Sequence, residues 1–532
     1  MNRVTRFVAA AALGAGMAGA AQAKTLVFCS EGSPEGFDPG LYTSGTTFDA
    51  SSKPLFNRLV EFAPGTTDIV PGLAPKWEIS SDGLTYTFHL RQGVKFGATD
   101  YFKPSRDMNA DDVSFTFQRM LDKTNKYYNY GGGTYDYFVG MSMPDVIKSV
   151  DKVDDMTVKF TLNSPNAPFL ADLAMDFASI MSKEYTDKLL ADGHPELLNQ
   201  QPVGTGPFVY VDYQKDASVR FKANPDYWGG KQAIDDLVFA ITPDTAVRLQ
   251  KLKANECQIM DYPSPADIAA LKTDSTLTVQ QQPGLNVAYL AYDTQQKPFD
   301  DVRVRKALNM AINKQAIIDA VYQGTGQAAV NPIPPTMWSY NKDVKDDPYD
   351  PEAAKKMLAD AGVSNLTMDL WAMPVQRPYQ PNGRRAAELI QADFAAVGVK
   401  VNILTHDWTE YLKLAGNPKH NAAVEAGWTG DNGDPDNFLA VLLGCDSVNT
   451  SNNIAAWCDK TFDDLVKKAV ATSDQAERTK LYEQAQIEFK AQAPWFTIAH
   501  SIVTMPMSKN VVGYKMDPLG SHRFDGVDLT GG

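Results

Sequence analysis

The sequence predicts a mixed α/β protein, α+β in character over its first half and α/β over its second. Three observations carry that reading. Stretches of strict apolar–polar alternation mark half-buried strands, helices are bracketed by capping residues at both ends, and in the second half strands and helices alternate as strand–helix–strand units. The 532 residues, 44% hydrophobic and 21% charged, leave room for three or four domain-sized units at about 150 residues each.

At the start, Arg3 and Arg6 precede a small apolar run from Phe7 to Ala20, and Ala21-Gln22-Ala23 has the A-x-A form of a secretory cleavage site. Residues 1–23 are therefore predicted to be a cleavable signal, with the mature chain beginning at Lys24. Losing the two arginines takes the net charge from −14 to −16. The apolar run is too short to span a membrane, and no later stretch reaches about 18 uninterrupted apolar residues. A soluble, exported protein is expected.

Leu84 to Val94 alternates as a strand, and Asn109-Ala-Asp-Asp opens an amphipathic helix with Val113, Phe117 and Met120 on one side. Met156 to Leu162 alternates again, and Val203-Gly-Thr-Gly-Pro-Phe208 turns into a strand at Val209-Tyr-Val211. In the second half, Asp350 is placed as an N-cap, Pro351 at the first helical position and Gly362 beyond the helix end. Leu366 to Ala372 is a predicted strand, Pro374 to Pro381 a loop, Arg384 to Val397 a helix with Leu389, Ile390 and Phe394 inward, and Val399 to Ile403 the next strand. A second such unit follows, with a strand over Asn421–Trp428, a turn-rich loop over Thr429–Asp436 and a helix over Asn437–Leu443. Open α/β sheets bind ligands at loops after the carboxyl ends of strands, which selects Pro374–Pro381 and Thr429–Asp436.

The acidic balance argues against nucleic acid, whose phosphates need a basic face. No G-x-S-x-G elbow is present. Ser149-Val-Asp-Lys152 matches S-x-x-K without an accompanying K-T-G, and neither a P-loop nor G-x-G-x-x-G occurs, so a nucleotide cofactor has no site, and no cofactor is expected. The six histidines are scattered and no C-x-x-C exists, so no metal is expected. Asp431-Asn-Gly-Asp-Pro-Asp436 carries three carboxylates but lacks the Gly and Glu spacing of an EF-hand.

Export makes the four cysteines candidates for disulfides, with three possible pairings. The short loop between Cys445 and Cys458 closes easily, which favours that pair and leaves Cys29 with Cys257. The two selected loops differ in charge. Asp431 follows the aromatic Trp428, while Arg377 sits beside Pro378 and Tyr379 ahead of a helix N-terminus. An acidic and a basic loop from neighbouring units suit a zwitterionic ligand.

Gly72-Leu-Ala-Pro-Lys-Trp77, Ser81 to Phe96, Ala110-Asp-Asp-Val113, Gly204-Thr-Gly-Pro-Phe208, Tyr227-Trp-Gly229 and Pro298 to Leu308 together resemble the extracytoplasmic solute-binding proteins that serve peptide and nickel ABC importers. The likeness covers essentially the whole mature chain. Leu370 to Tyr379, Gly427 to Phe438 and Ile333 to Trp338 are most similar to the family's periplasmic dipeptide-binding branch. The resemblance implies a two-lobed clamp with an extra subdomain on the first lobe. Lobe one would hold residues 24–284 and a C-terminal return over 501–532, and lobe two residues 285–500. It implies a non-enzymatic, monomeric periplasmic protein that hands dipeptides to inner-membrane permease subunits. It also implies the two disulfides above. Asp431 would pair with the peptide amino group and Arg377 with its carboxylate. Trp428, Thr429, Gly430 and Tyr379 would stand around them, with Thr43, Ser44 and Gly45 from the first lobe. Haem, aminolevulinate or longer peptides are the alternative cargoes, and a secreted hydrolase or a periplasmic folding factor the alternatives of another class.

Overall fold

The computed structural model describes residues 23–130, 132, 135–417 and 422–530. The predicted signal segment, apart from Ala23, lies outside the described residues, as does Asn421.

The extra subdomain is an antiparallel sheet in the order Lys76–Ile79, Thr85–His89, Thr157–Leu162, Ile147–Asp154. Helix Ala110–Leu121 packs against its last two strands. Its start is fixed by a reciprocal cap: the Asn109 side chain accepts from Asp111 N at 3.0 Å, and the Asp112 carboxylate accepts from Asn109 N at 2.9 Å. Val113, Phe117 and Met120 are buried as predicted. The first alternating strand is shorter than predicted, Thr85–His89 rather than Leu84–Val94. The chain turns at Arg91-Gln-Gly, where Gly93 takes a φ of +72° that a side chain disfavours.

In the second half, helix Pro351–Asp360 is capped by Asp350, whose side chain accepts from Ala353 N at 2.9 Å. Strand Thr367–Trp371 pairs parallel with Lys400–Leu404 on one side and with Ala422–Thr429 on the other. Helix Gly383–Ala396 supplies the crossover, burying Ala386, Ala387, Ile390 and Phe394. Leu389, predicted to face inward, is only partly buried.

The two lobes share one strand. Trp495–Ser508 pairs through Trp495–Ala499 with Asn286–Tyr292 of the second sheet, and through Ile502–Ser508 with Leu277–Pro283 of the first. Beyond it the first sheet continues through Ile259–Met260, Thr25–Ser30, Asp236–Ile241, Ser218–Ala223 and Phe208–Gln214. Where the chain passes between sheets, Gly284 N donates to Ser501 O at 2.8 Å and Ser501 N to the Asn286 side chain at 2.9 Å. The largest apolar cluster runs through both lobes, joining Phe28 and Leu237 of the first sheet to Val287, Tyr289 and Trp428 of the second, and another, with Ala288, Leu290 and Phe394, lies on the opposite face of the second sheet. Helices Asp436–Leu443, Lys460–Val470 and Gln475–Gln492 contribute Phe438, Phe462 and Phe489 to the larger, shared cluster. Disulfides join Cys29 to Cys257 and Cys445 to Cys458.

Candidate functional site

A cavity lies between the lobes. Eight of the nine residues predicted for the site line it: Thr43, Ser44 and Gly45 from the first lobe, and Arg377, Tyr379, Trp428, Thr429 and Asp431 from the second. Gly430 does not. Its N–H donates to Leu285 O at 2.8 Å, and a Cβ there would meet the Phe438 ring at 2.6 Å, so its place is structural. Gly427 is needed for a similar reason, since a Cβ would strike the Tyr379 ring at 2.2 Å.

At the acidic end, strand Ala422–Thr429 delivers Trp428 and the following turn delivers Asp431. Asn437, in the helix that follows, organises both: its side-chain oxygen accepts from Trp428 Nε1 at 3.0 Å and from Asp431 N at 2.8 Å. Its amide donates to the Tyr137 hydroxyl at 2.9 Å, and that hydroxyl donates to Asp431 Oδ2. Tyr137 comes from the first lobe, so this network crosses the cleft. Asp431 keeps some surface open to the cavity while protein surrounds its carboxyl. Burial pushes its carboxyl up to about 8, against a smaller downward pull from the Tyr137 hydroxyl. Burial also raises the Tyr137 phenol well above its usual range, which keeps it a donor. Without a cation beside it, Asp431 is therefore held toward its neutral form at pH 7.

At the basic end, the loop is closed on itself and anchored from outside: Arg377 and Gln380 exchange backbone hydrogen bonds at 3.1 and 3.0 Å, and the Tyr322 hydroxyl donates to Tyr379 O at 2.7 Å. The Arg377 guanidinium lies between Tyr262 and Trp408, with its carbon 5.6 and 5.5 Å from the two ring centres. It is not the free cation that the sequence predicted. Arg377 Nη1 is paired with Glu31 of the first lobe and donates to Thr46 Oγ1 at 2.5 Å. The coupling to Glu31 raises Arg377 further. Burial opposes ionisation of Glu31, but the guanidinium prevails and holds its carboxyl down to about 2. The helix behind the loop is capped by its own Asn382, whose side chain accepts from Arg385 N at 3.0 Å.

Four polar atoms of lining residues have no hydrogen-bond partner although buried: Ser44 Oγ, Arg377 Nε, Trp408 Nε1 and Thr429 Oγ1. Other such atoms lie elsewhere among the described residues, but these four face one cavity, where a polar ligand would satisfy them. Tyr262, Tyr289, Trp408 and Tyr411 add an aromatic wall that sequence reasoning missed. The other residues it missed, Glu31, Thr46, Tyr137 and Asn437, stand outside the two selected loops. Only Asn437, six residues past Asp431, carried a local signal, as a polar residue opening an otherwise apolar helix.

The acidic loop itself is internally occupied. Asp434 pairs with Arg478 at 2.8 Å, and Asn432 donates to Asp172 at 2.9 Å and to Asp436 at 3.2 Å. Among the described residues no group of three or more His, Cys, Asp or Glu side chains is placed to hold a metal ion. None of the described helices is long and apolar enough to cross a membrane.

Comparison with known proteins agrees with this geometry. Residues 68–450 match the family described as bacterial extracellular solute-binding proteins, family 5. The dipeptide-binding protein of Escherichia coli (strain K12) is 58% identical over 514 residues, 96% of each chain. Heme-binding protein A of Haemophilus influenzae is 51% identical, covering 95% of this chain and 92% of its own. The crystal structure of a dipeptide-binding protein from Pseudoalteromonas sp. SM9913 in complex with Met-Leu superposes with a TM-score of 0.93 at 39% identity, covering 95% of this chain and all of that one.

Proposed function

Because the chain belongs to the bacterial extracellular solute-binding proteins, family 5, we propose that it captures dipeptides by their charged termini and delivers them to the membrane subunits of an ABC importer. The observation that carries this reading is one interlobe cavity with a carboxyl at one end, a guanidinium at the other and unpartnered polar atoms between. The dipeptide amino group pairs with Asp431. An arriving ammonium supplies the counter-charge that an ionised Asp431 lacks in the empty cleft, and the carboxyl gives up its proton to solvent as the pair forms. The peptide carboxylate goes to Arg377, with Ser44 Oγ beside it. Closure needs contacts that exist only in the closed form, and both ends supply them: Asp431 meets Tyr137, and Arg377 meets Glu31 and Thr46, across the cleft. The hinge lies where the chain crosses between sheets, at Gly284–Leu285 and at His500–Ser501. Residues 24–284 and 501–532 then move against 285–500. The protein works as a soluble periplasmic monomer after removal of residues 1–23.

A second reading, haem as cargo, draws on the aromatic wall and on the Haemophilus relative. Calorimetric titration with dipeptides, their N-acetyl forms, tripeptides and haem separates the two. Terminus reading predicts that N-acetylation weakens a dipeptide by at least about 30-fold. Tight haem binding with no effect of N-acetylation would reject it.

A further inference from the structure

The guanidinium that should receive the peptide carboxylate already has a carboxylate of the protein's own. Glu31 follows strand Thr25–Ser30 in the first lobe and is buried. Thr46 Oγ1 donates to Glu31 Oε1 at 2.5 Å and accepts from Arg377 Nη1 at 2.5 Å, so one hydroxyl spans the pair. The Ser30 hydroxyl lies 3.2 Å from the other oxygen, Oε2. Two further carboxyls are buried near Glu31, Asp49 and Asp261, and burial raises both toward their neutral forms. Asp261 also faces Arg248 Nε at 3.3 Å. Glu31 is thus the ionised counter-charge of Arg377.

What Glu31 leaves open is also defined. Arg377 Nε has no partner, Ser44 Oγ has none, and a Cβ at Gly45 would lie only 3.2 Å from Nη2. A ligand carboxylate can therefore use the rest of the guanidinium, but only next to an existing anion. We infer that Glu31 is a specificity-determining residue for the carboxylate end, a built-in anion that a ligand carboxylate must share Arg377 with or displace. This rests on the dipeptide reading of the cavity. Its consequence is a substrate class defined chiefly by a free amino terminus, with peptides neutral at the far end still accepted.

The test is the ratio of affinities for a free-acid dipeptide and its C-terminal amide, measured by calorimetry on the mature protein and on Glu31→Gln. Glutamine keeps the shape and the hydrogen bond from Thr46 but removes the charge. The free acid should gain about tenfold, the scale of one like-charge contact relieved in a partly screened site, while the amide stays within about twofold. A purely structural Glu31 would weaken both ligands together and leave the ratio unchanged, which would overturn the inference. If Glu31→Gln does not fold, Glu31→Asp withdraws the carboxylate by one methylene; the ratio should move the same way by less, and an unchanged ratio there would overturn it equally. A mature protein that binds the dipeptide with a large N-acetylation penalty, yet shows no change of ratio in either variant, loses this inference and keeps the dipeptide reading. A mature protein that binds no dipeptide loses both.

Discussion

The two ends of the cavity carry opposite groups and are neutralised in opposite ways. Arg377 is satisfied within the protein: Glu31 pairs with it, Thr46 bridges the pair, and Tyr262 and Trp408 cover its faces. Asp431 has a neutral phenol as its side-chain partner, and burial biases its carboxyl toward the neutral form. The basic end is thus charged but compensated, whereas burial opposes ionisation at the acidic end and an arriving cation favours it. A loop's formal charge does not state how strongly it will bind, because the partner that sets its state comes from the other lobe. The ligand's amino group supplies what the protein lacks, whereas its carboxylate competes with what the protein has.

The largest expected effect lies at the acidic end. Asp431→Asn should weaken free dipeptides by about 2–5 kcal/mol, the usual loss when one partner of a buried charge pair is removed, or roughly 30-fold to several thousand-fold. N-acetylated dipeptides should change little, and an affinity retained within about twofold would remove Asp431 from recognition. At the basic end the expected loss appears in the protein as well as in binding. Arg377→Ala strands Glu31 as a buried, unpaired carboxylate and should lower stability by about 3–5 kcal/mol, read by denaturant unfolding. Adding Glu31→Gln should restore most of it, and an additive double variant would break the comparison.

A smaller effect separates the ends by pH. The Asp431 carboxyl is raised in the folded protein from 3.8 to about 8, so the folded state holds its proton more tightly than the unfolded one. Its contribution to stability is complete below about pH 3.8 and is lost as pH rises through about 8. Ligand-free protein should therefore show a decline over that window that Asp431→Asn lacks. Glu31 has the reverse sign: its carboxyl is lowered from 4.5 to about 2, so its contribution is present above about pH 4.5 and fades as pH falls toward 2. The pH dependence of melting in the two variants checks both signs, and matching slopes in mature protein and Asp431→Asn would contradict the assignment.

Much of the fold was legible because its signals are local. The Asn109 and Asp350 caps, the alternation of Thr157–Leu162 and the two loops after Trp371 and Thr429 depend on neighbours in the chain, and the structure places each within a residue or two of its prediction. The site was half legible for the same reason. Arg377 and Asp431 stand in those loops, but Glu31 and Tyr137 are 346 and 294 residues away from them. No periodicity or spacing reports a contact of that range. Nor does local pattern show that helices Asp436–Leu443, Lys460–Val470 and Gln475–Gln492 share one apolar cluster with residues of both sheets. Strand Leu84–Val94 ran too long because alternation continues into the turn at Gly93, where backbone conformation rather than side-chain polarity ends it.

The central claim is that the two ends read the ligand unequally, and one measurement reaches it directly. A single dipeptide is titrated into the mature protein in three forms: free, N-acetylated and C-amidated. The account predicts that blocking the amino group weakens binding by at least about 30-fold, and that blocking the carboxylate weakens it by several-fold less than that. Equal penalties, or a larger one for the amide, would contradict it.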